Sequence, residues 1–564
     1  MPNLVFIFLR RLRRPLIALI LVYAVSVLGL VMIPGVDDQG QPWNMDFFHA
    51  FYFVSFTGST IGFGEVPYSF TDAQRLWVLF CIYITVFAWF YAIGATLTLI
   101  QDPAFQKAVT HTSFDRSVRN MTEPFYLVCG YGDTGQLVVQ GLTQRGIRAV
   151  VIDNDQERIN ALELENLDLF VPALEADVSR PDILAEAGLQ NPWCAGLISV
   201  TCDDETNLKV AITAKLLSSD LPVVCRSEYH DVAVNMESFG TDEIVNPFDL
   251  FADRLAMALH SPALYAIHEW LTSGAFTPLS EPPQPPRGSW ILCGYGRFGK
   301  ALEQYLSFEG ISATIVEANP SGTDAPDEAI LGRGTEAVTL KQAGVEQAAG
   351  IVAGTDDDTN NLSIIMTARE LNPELFTVGR QNKEENRRIF DAAELDLTMR
   401  RSDIIARKIL TLITNPLLSQ FFTSANKDDQ EWANQLASRI IGVSHNSTPV
   451  TWTIPIAKSE APALAIEIFR GTAVCLGELL RDPADREQLL PVIVLLVKRG
   501  STSFTLPDMD LILELGDRIL VCGQQYARTR MRGTVGNVVT LDYVRGGVSP
   551  AARADTPKQT PELS

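Results

Sequence analysis

Apolar positions fall into three regimes along this chain. The twenty residues from Pro15 to Pro34 carry no charge, which is the length that crosses a hydrocarbon core of about 30 Å. Leu76 to Ile100 is a second charge-free run. Between them Met45 to Phe56 is aromatic and apolar but too short to cross, and it predicts a short helix that enters and returns from the same side. From Phe125 the pattern changes to short apolar strands alternating with helical stretches, as in Phe125–Cys129, Ala149–Ile152, Trp290–Cys293 and Thr314–Val316. That alternation predicts parallel α/β folds. From about Ser438 the pattern is β-rich, with strands at Pro491–Val497 and Leu515–Gly523, and from Gly546 it loses all periodicity.

Flanking charge orients the two spans. Arg10, Arg11, Arg13 and Arg14 precede the first and belong in the cytoplasm. A signal peptide also starts basic, but no small-residue cleavage site follows near Ile33-Pro34, so the run reads as a retained span. Two spans put both termini inside and make Val36 to Arg75 an outer re-entrant segment. Asn44 is its candidate helix cap, and Asp46 sits in the first turn, where a negative charge suits the dipole.

Composition narrows the rest. The 564 residues hold 45 Lys+Arg against 67 Asp+Glu, a net charge of −22. A nucleic-acid binder needs a basic footprint, so that class is excluded. Eight cysteines are scattered without a Cys-x-x-Cys pair and read as reduced core thiols, not as a zinc or disulfide framework.

Thr60-Ile61-Gly62-Phe63-Gly64-Glu65 follows the short helix. Irregular backbone at membrane depth is tolerated only when buried in protein or lining a water-filled cavity. A short extended loop can aim successive carbonyls at one axis and replace the water around an ion. The segment resembles the potassium-channel selectivity filter, written T-V-G-Y-G-D. Ile61 keeps a β-branched residue, Phe63 lacks the bracing hydroxyl of tyrosine, and Glu65 lengthens the acidic arm at the outer mouth. The resemblance implies potassium ions held by Thr60 to Gly64, and four subunits around one axis, because one copy cannot close a pore. Gly94, late in the second span, reads as a hinge or as a close-packing glycine. Asp102 reads as one of a ring of carboxylates at the inner mouth or as part of the turn before Pro103.

Two glycine turns follow. Phe125–Cys129 runs into Gly130-Tyr131-Gly132-Asp133-Thr134-Gly135, and the next strand ends at Asp153; Trp290–Cys293 runs into Gly294-Tyr295-Gly296-Arg297-Phe298-Gly299, and the next strand ends at Glu317. The first glycine makes the turn, the second admits a pyrophosphate, the third lets helix and strand pack, and the acidic residue accepts ribose hydroxyls. The two turns lie 164 positions apart; Thr201-Cys202-Asp203-Asp204-Glu205-Thr206-Asn207 and Thr355-Asp356-Asp357-Asp358-Thr359-Asn360-Asn361 lie 154 apart. A tandem duplication with ten residues lost from the second copy accounts for both offsets.

Both repeats resemble the regulator-of-potassium-conductance (RCK) domain, with Thr-x-Asp-Asp-x-x-Asn and Val223-Val224-Cys225-Arg226 as its marks. The resemblance implies ligand contacts at the turn residues, at Asp153, Thr201, Asp203, Glu317, Thr355 and Asp357, and crossover helices at 249–259 and 403–413. Asp203, Asp204, Asp357 and Asp358 read equally as helix caps. NAD or another adenine nucleotide is the implied ligand, with calcium as a further candidate; the acidic partners disfavour NADP.

The expected fold class is an α-helical two-span membrane pore domain plus two α/β Rossmann-like domains with a small α+β C-terminal lobe. The expected divisions are a pore domain at 1–102 (spans 15–34 and 76–100, pore helix and filter 44–65), a gating linker at 103–123, RCK domains at 124–280 and 289–437 joined by a proline linker at 281–288, a lobe at 438–545 and a disordered tail at 546–564. The whole reads as a ligand-gated potassium channel of the cell inner membrane, a homotetramer in the lipid bilayer above an octameric RCK ring. The rival readings are an RCK-type regulatory subunit of a separate transporter and a membrane-anchored NAD-dependent oxidoreductase.

Overall fold

The computed structural model describes residues 4–273, 277–424 and 430–546. The chain forms two compact units, Met1–Asn120 and Met121–Ser564. The expected tail beyond Gly546 lies outside the described residues.

The first unit is helical: Leu4–Met32, Phe47–Gly58, Asp72–Ile100 and Pro103–Arg119. Leu12–Met32 and Asp72–Ile100 are apolar enough to cross a membrane, with mean hydropathy 2.6 and 2.2. The first helix begins upstream of the charge-free run and carries Pro15 inside it. The second starts at a capping box, in which Thr71 Oγ1 accepts from the Gln74 amide and Gln74 Oε1 accepts from the Thr71 amide. Asn44 is not the cap of the short helix. That role falls to Asp46, whose Oδ1 accepts from the His49 amide at 2.8 Å. The segment expected as a linker is largely the helix Pro103–Arg119.

The two long helices approach at Gly29, where a Cβ would lie 2.0 Å from the Trp77 ring. Trp77 Nε1 donates to the Ser26 carbonyl at 3.1 Å beside it. Gly29→Leu therefore displaces Trp77 and costs about 1–3 kcal/mol of overpacking. Thermal unfolding in detergent reads this as a lowered midpoint, against Gly94→Ala, whose Cβ meets nothing within 4 Å.

The second unit holds two parallel six-stranded sheets and one antiparallel four-stranded sheet. The first sheet runs Ala173–Glu175, Arg148–Asp153, Phe125–Cys129, Cys194–Ser199, Val223–Arg226, Glu243–Val245. The second repeats that order with Ile330–Leu331, Ala313–Glu317, Trp290–Cys293, Gly350–Ala353, Phe376–Gln381, Leu397–Arg400. In each the order reverses beside the first strand, where α/β sheets open a crevice at their carboxyl ends.

The repeats exchange helices. Phe248, Phe251, Ala252, Leu255 and Leu259, on the helix Pro247–His260 after the first sheet, pack into the core of the second repeat. Ile405, Ala406 and Ile409, on the helix Arg401–Thr414, pack into the core of the first. The approach is close: a Cβ on Gly141 would lie 2.3 Å from Leu410. Each crossover helix turns at a proline into a second helix, Pro262–Thr272 or Pro416–Ser424. These pack with Gln430–Ser444 against Ile493, Leu495, Leu520 and Cys522 of the antiparallel sheet. That sheet orders Val450–Pro455, Arg518–Gly523, Val492–Arg499, Thr502–Thr505.

Candidate functional site

The loop after the short helix alternates in backbone sign. Thr60, Gly62 and Gly64 have φ of 62°, 67° and 76°, while Ile61 and Phe63 stay in the ordinary half of the map. A strand of alternating hand turns successive carbonyls toward one side, whereas an ordinary β-strand alternates them. The Ile61 and Gly62 amides donate back to the Phe56 carbonyl at 3.0 and 3.2 Å, and among the described residues no hydrogen bond ends on a carbonyl from Thr60 to Gly64. Two of the three left-handed positions are glycine, which takes that conformation freely.

Aromatic side chains back the loop. Phe63 meets Phe56 edge-on at 6.3 Å, and Phe56 meets Tyr52 at 5.3 Å. Tyr52 Oη donates to Glu65 Oε2 at 3.1 Å. Phe63 has no hydroxyl to anchor, so this brace passes through Tyr52 to the residue after the loop. Tyr52 was not singled out from the sequence, although its place on the short helix is the available signal. Gly94 lies in unbroken helix, with Thr98 Oγ1 donating to its carbonyl. Asp102 caps the next helix, accepting from the Ala104 amide at 2.9 Å.

The two glycine turns share one geometry. Gly130 and Gly294 take φ of 101° and 96°. A Cβ on Gly135 would lie 2.0 Å from the Gly130 carbonyl oxygen, and one on Gly299 lies 2.2 Å from that of Gly294. Gly132 and Gly296 are the N-caps of Asp133–Thr143 and Arg297–Phe308, and neither helix start has a side-chain cap. Their first amides are therefore unclaimed by a side chain and suit an anion. Asp133 and Thr134 fall in the first turn of that helix, Thr134 buried.

The acidic strand ends are tied to their own turns. Asp153 accepts from the Tyr131 amide at 2.5 Å and the Asp155 amide at 2.8 Å. Glu317 accepts from the Tyr295 amide at 2.7 Å and the Asn319 amide at 2.8 Å. Each carboxylate thus fixes the second residue of its own glycine turn, a role that only the fold makes visible.

Asp203 and Asp357 cap helices, accepting from the Thr206 and Asn360 amides at 3.0 and 2.8 Å. Hydrogen bonds from Thr206 hold the Asp203 carboxyl below the usual range. Asp204 and Asp358 brace the loop after the fifth strand through the Glu228, Tyr229, Asn382 and Lys383 amides. The buried centre of the motif is its asparagine. Asn207 accepts from the Thr201 amide and hydroxyl and donates to the Thr201 and Arg226 carbonyls. Asn361 repeats this with Thr355 and Arg380.

At the second turn a cavity of about 610 Å³ opens, lined by Gly294, Gly296, Arg297, Glu317 and Thr355, and by Arg333, Asp356, Asn360 and Arg380. Of the expected contacts, Phe298 is a correction. Its side chain is fully buried and packs on Phe248 and Phe251 of the crossover helix, at 5.9 and 5.6 Å. Its aromatic character beside a pocket signal hid a core role. Asp357 is absent from the lining, where its neighbour Asp356 stands and pairs with Arg380 at 2.7 Å. The residues present fit a nucleotide: an open cradle at Gly296, where a Cβ would meet nothing within 4 Å, unclaimed helix amides and three arginines. Among the described residues no three His, Cys, Asp or Glu side chains gather to hold a metal.

Two family models match the chain. The TrkA-N domain model matches twice, at residues 126–247 and 290–400, and the ion channel model matches residues 17–102. Potassium channel protein 1 of Methanocaldococcus jannaschii is 29% identical over 206 residues, covering 36% of this chain and 59% of its own. Probable potassium channel protein 2 of the same organism is 22% identical over 221 residues, covering 39% of this chain and 63% of its own. The match therefore spans about six tenths of these relatives' length. A solved structure of the GsuK channel bound to NAD aligns over 94% of this chain and 99% of its own, at 15% identity and a TM-score of 0.47.

Proposed function

Starting from a chain that joins an ion-channel segment to two TrkA-N domains and is homologous to archaeal potassium channels, we propose that it is a potassium-selective channel gated by a nucleotide. The carrying observation is the loop from Thr60 to Gly64: three left-handed residues at every second position, amides tied back to Phe56, and carbonyls left without donors. In this reading four chains surround one axis, and their carbonyl rings replace the water around potassium. The chain lies in the inner membrane with both termini in the cytoplasm, as the arginines before the first span suggest.

The second repeat is the better-supported ligand site, with NAD or ADP seated on the Gly296 amides. Eight TrkA-N domains from four chains would form the gating ring. Gating requires the ligand to bind the open and closed rings with different affinity, and a difference of about 1.4 kcal/mol already shifts the equilibrium tenfold.

Cys293 lines the pocket wall, and burial pushes it up to about 12, so its thiol is protonated and a poor nucleophile. The rival regulatory subunit has no use for a loop of this geometry. Purified protein alone in liposomes tests the proposal: nucleotide-dependent potassium efflux is expected. No efflux without a second membrane protein would favour the regulatory subunit, and steady NADH consumption would favour the enzyme.

A further inference from the structure

The two repeats differ in charge at two matched positions, and a residue from each of those positions meets the other. The first glycine turn has Asp133 where the second has Arg297, and the loop after the fifth strand has Glu228 where the second repeat has Asn382. The second match is structural, since the Glu228 amide donates to Asp204 and the Asn382 amide to Asp358, both at 2.6 Å. Across the repeats, Arg297 Nη1 lies 3.1 Å from Glu228 Oε2. Its guanidinium sits 4.3 Å from the centre of the Tyr229 ring, and Tyr229 lines the second cavity. The first repeat thus lends an aromatic face to the second repeat's pocket and an anionic partner to its Arg297.

Glu228 is buried but well supplied. Its Oε1 is shared by Arg226 and by Arg401 at 2.9 Å, while Oε2 faces Arg297. Burial alone would push this carboxyl up; the three guanidiniums outweigh burial and hold it below the usual range. Losing Arg297 leaves two cations on the other oxygen, so the cost falls short of stranding a bare buried carboxylate. A phosphate offers Arg297 a bidentate anionic partner within the turn whose amides already face it.

We propose, resting on the nucleotide reading above, that Arg297 exchanges partners: the pyrophosphate of an adenine nucleotide in the second pocket draws it off Glu228, and this release passes occupancy of the second repeat to the first. Glu228 is a built-in competitor of the ligand. Its charge weakens binding in proportion to how firmly it holds Arg297.

The test uses the full chain in detergent carrying Gly132→Asp to silence the first turn, with ADP and NAD titrated in turn by calorimetry. Adding Glu228→Gln is expected to tighten binding about tenfold, within the range of contact-pair couplings. In an Arg297→Gln background the same change is expected to alter affinity less than about twofold. Equal or weaker binding in Glu228→Gln overturns the exchange. A second measurement leaves Glu228 in place: nucleotide should speed hydrogen exchange of the amides from Ser227 to His230, and unchanged or slower exchange overturns the proposal. If neither nucleotide binds the Gly132→Asp protein, the nucleotide reading itself falls, and the exchange falls with it.

Discussion

Gly62→Ala is expected to abolish selective potassium flux. Gly62 has φ of 67°, and a Cβ in the left-handed region costs about 1–2 kcal/mol per residue. In the proposed tetramer that cost recurs in four loops around one axis, roughly 4–8 kcal/mol in all. No packing compensates, since a Cβ there meets nothing within 4 Å in the chain. The backbone relieves the strain by flipping to negative φ, which turns one ring of carbonyls away from the ion path. Potassium flux falls by about three orders of magnitude or more, the size of a 4 kcal/mol loss at about 1.4 kcal/mol per decade. Tracer flux from liposomes measures it. Tyr52→Phe is the milder companion: losing the bond to Glu65 destabilises the loop without preventing conduction.

The second large effect separates the glycines of one turn by their jobs. Gly299→Ala places a methyl 2.2 Å from the Gly294 carbonyl oxygen, and backbone cannot step aside as a flexible side chain does. Strand and helix must part, at about 1–3 kcal/mol, and the turn that would hold the nucleotide is lost with them. Gly296→Ala differs, because its Cβ meets nothing in the chain and its φ of −72° suits any residue. It should keep the unfolding temperature of the parent yet weaken nucleotide binding, since the methyl occupies the pyrophosphate's approach. Calorimetry beside thermal unfolding distinguishes them: Gly299→Ala loses both binding and stability, Gly296→Ala loses binding alone. Equal loss of stability in both would remove the case for a cradle at Gly296.

The fold class was legible in the sequence because its signals are local. Charge-free runs of span length, short apolar strands and glycine turns at a fixed offset each report on neighbours along the chain. Where partners are distant in sequence, legibility ended. Asp153 and Glu317 were readable as acidic strand ends, but their hold on the Tyr131 and Tyr295 amides depends on how the turn folds back. Phe298 stood in a ligand motif and proved to be core, because the helix that covers it comes from the other repeat. Arg333 and Tyr229 reach the second cavity from two separate loops, with nothing in their local sequence to announce it. The close approach of Gly29 to Trp77 joins two helices far apart in sequence, so no local signal carries it.

In the proposed channel the loop at Thr60 to Gly64 selects potassium while nucleotide at the TrkA-N repeats decides when it conducts. Single-channel recording of the purified chain in a planar bilayer tests both halves at once, with potassium on one side, sodium on the other, and ADP or NAD added to the cytoplasmic face. The expected result is a reversal potential far toward that of potassium and an open probability that changes with nucleotide in the parent but not in a chain carrying both Gly132→Asp and Gly296→Asp. A reversal potential near zero, or gating that survives both changes, would contradict it.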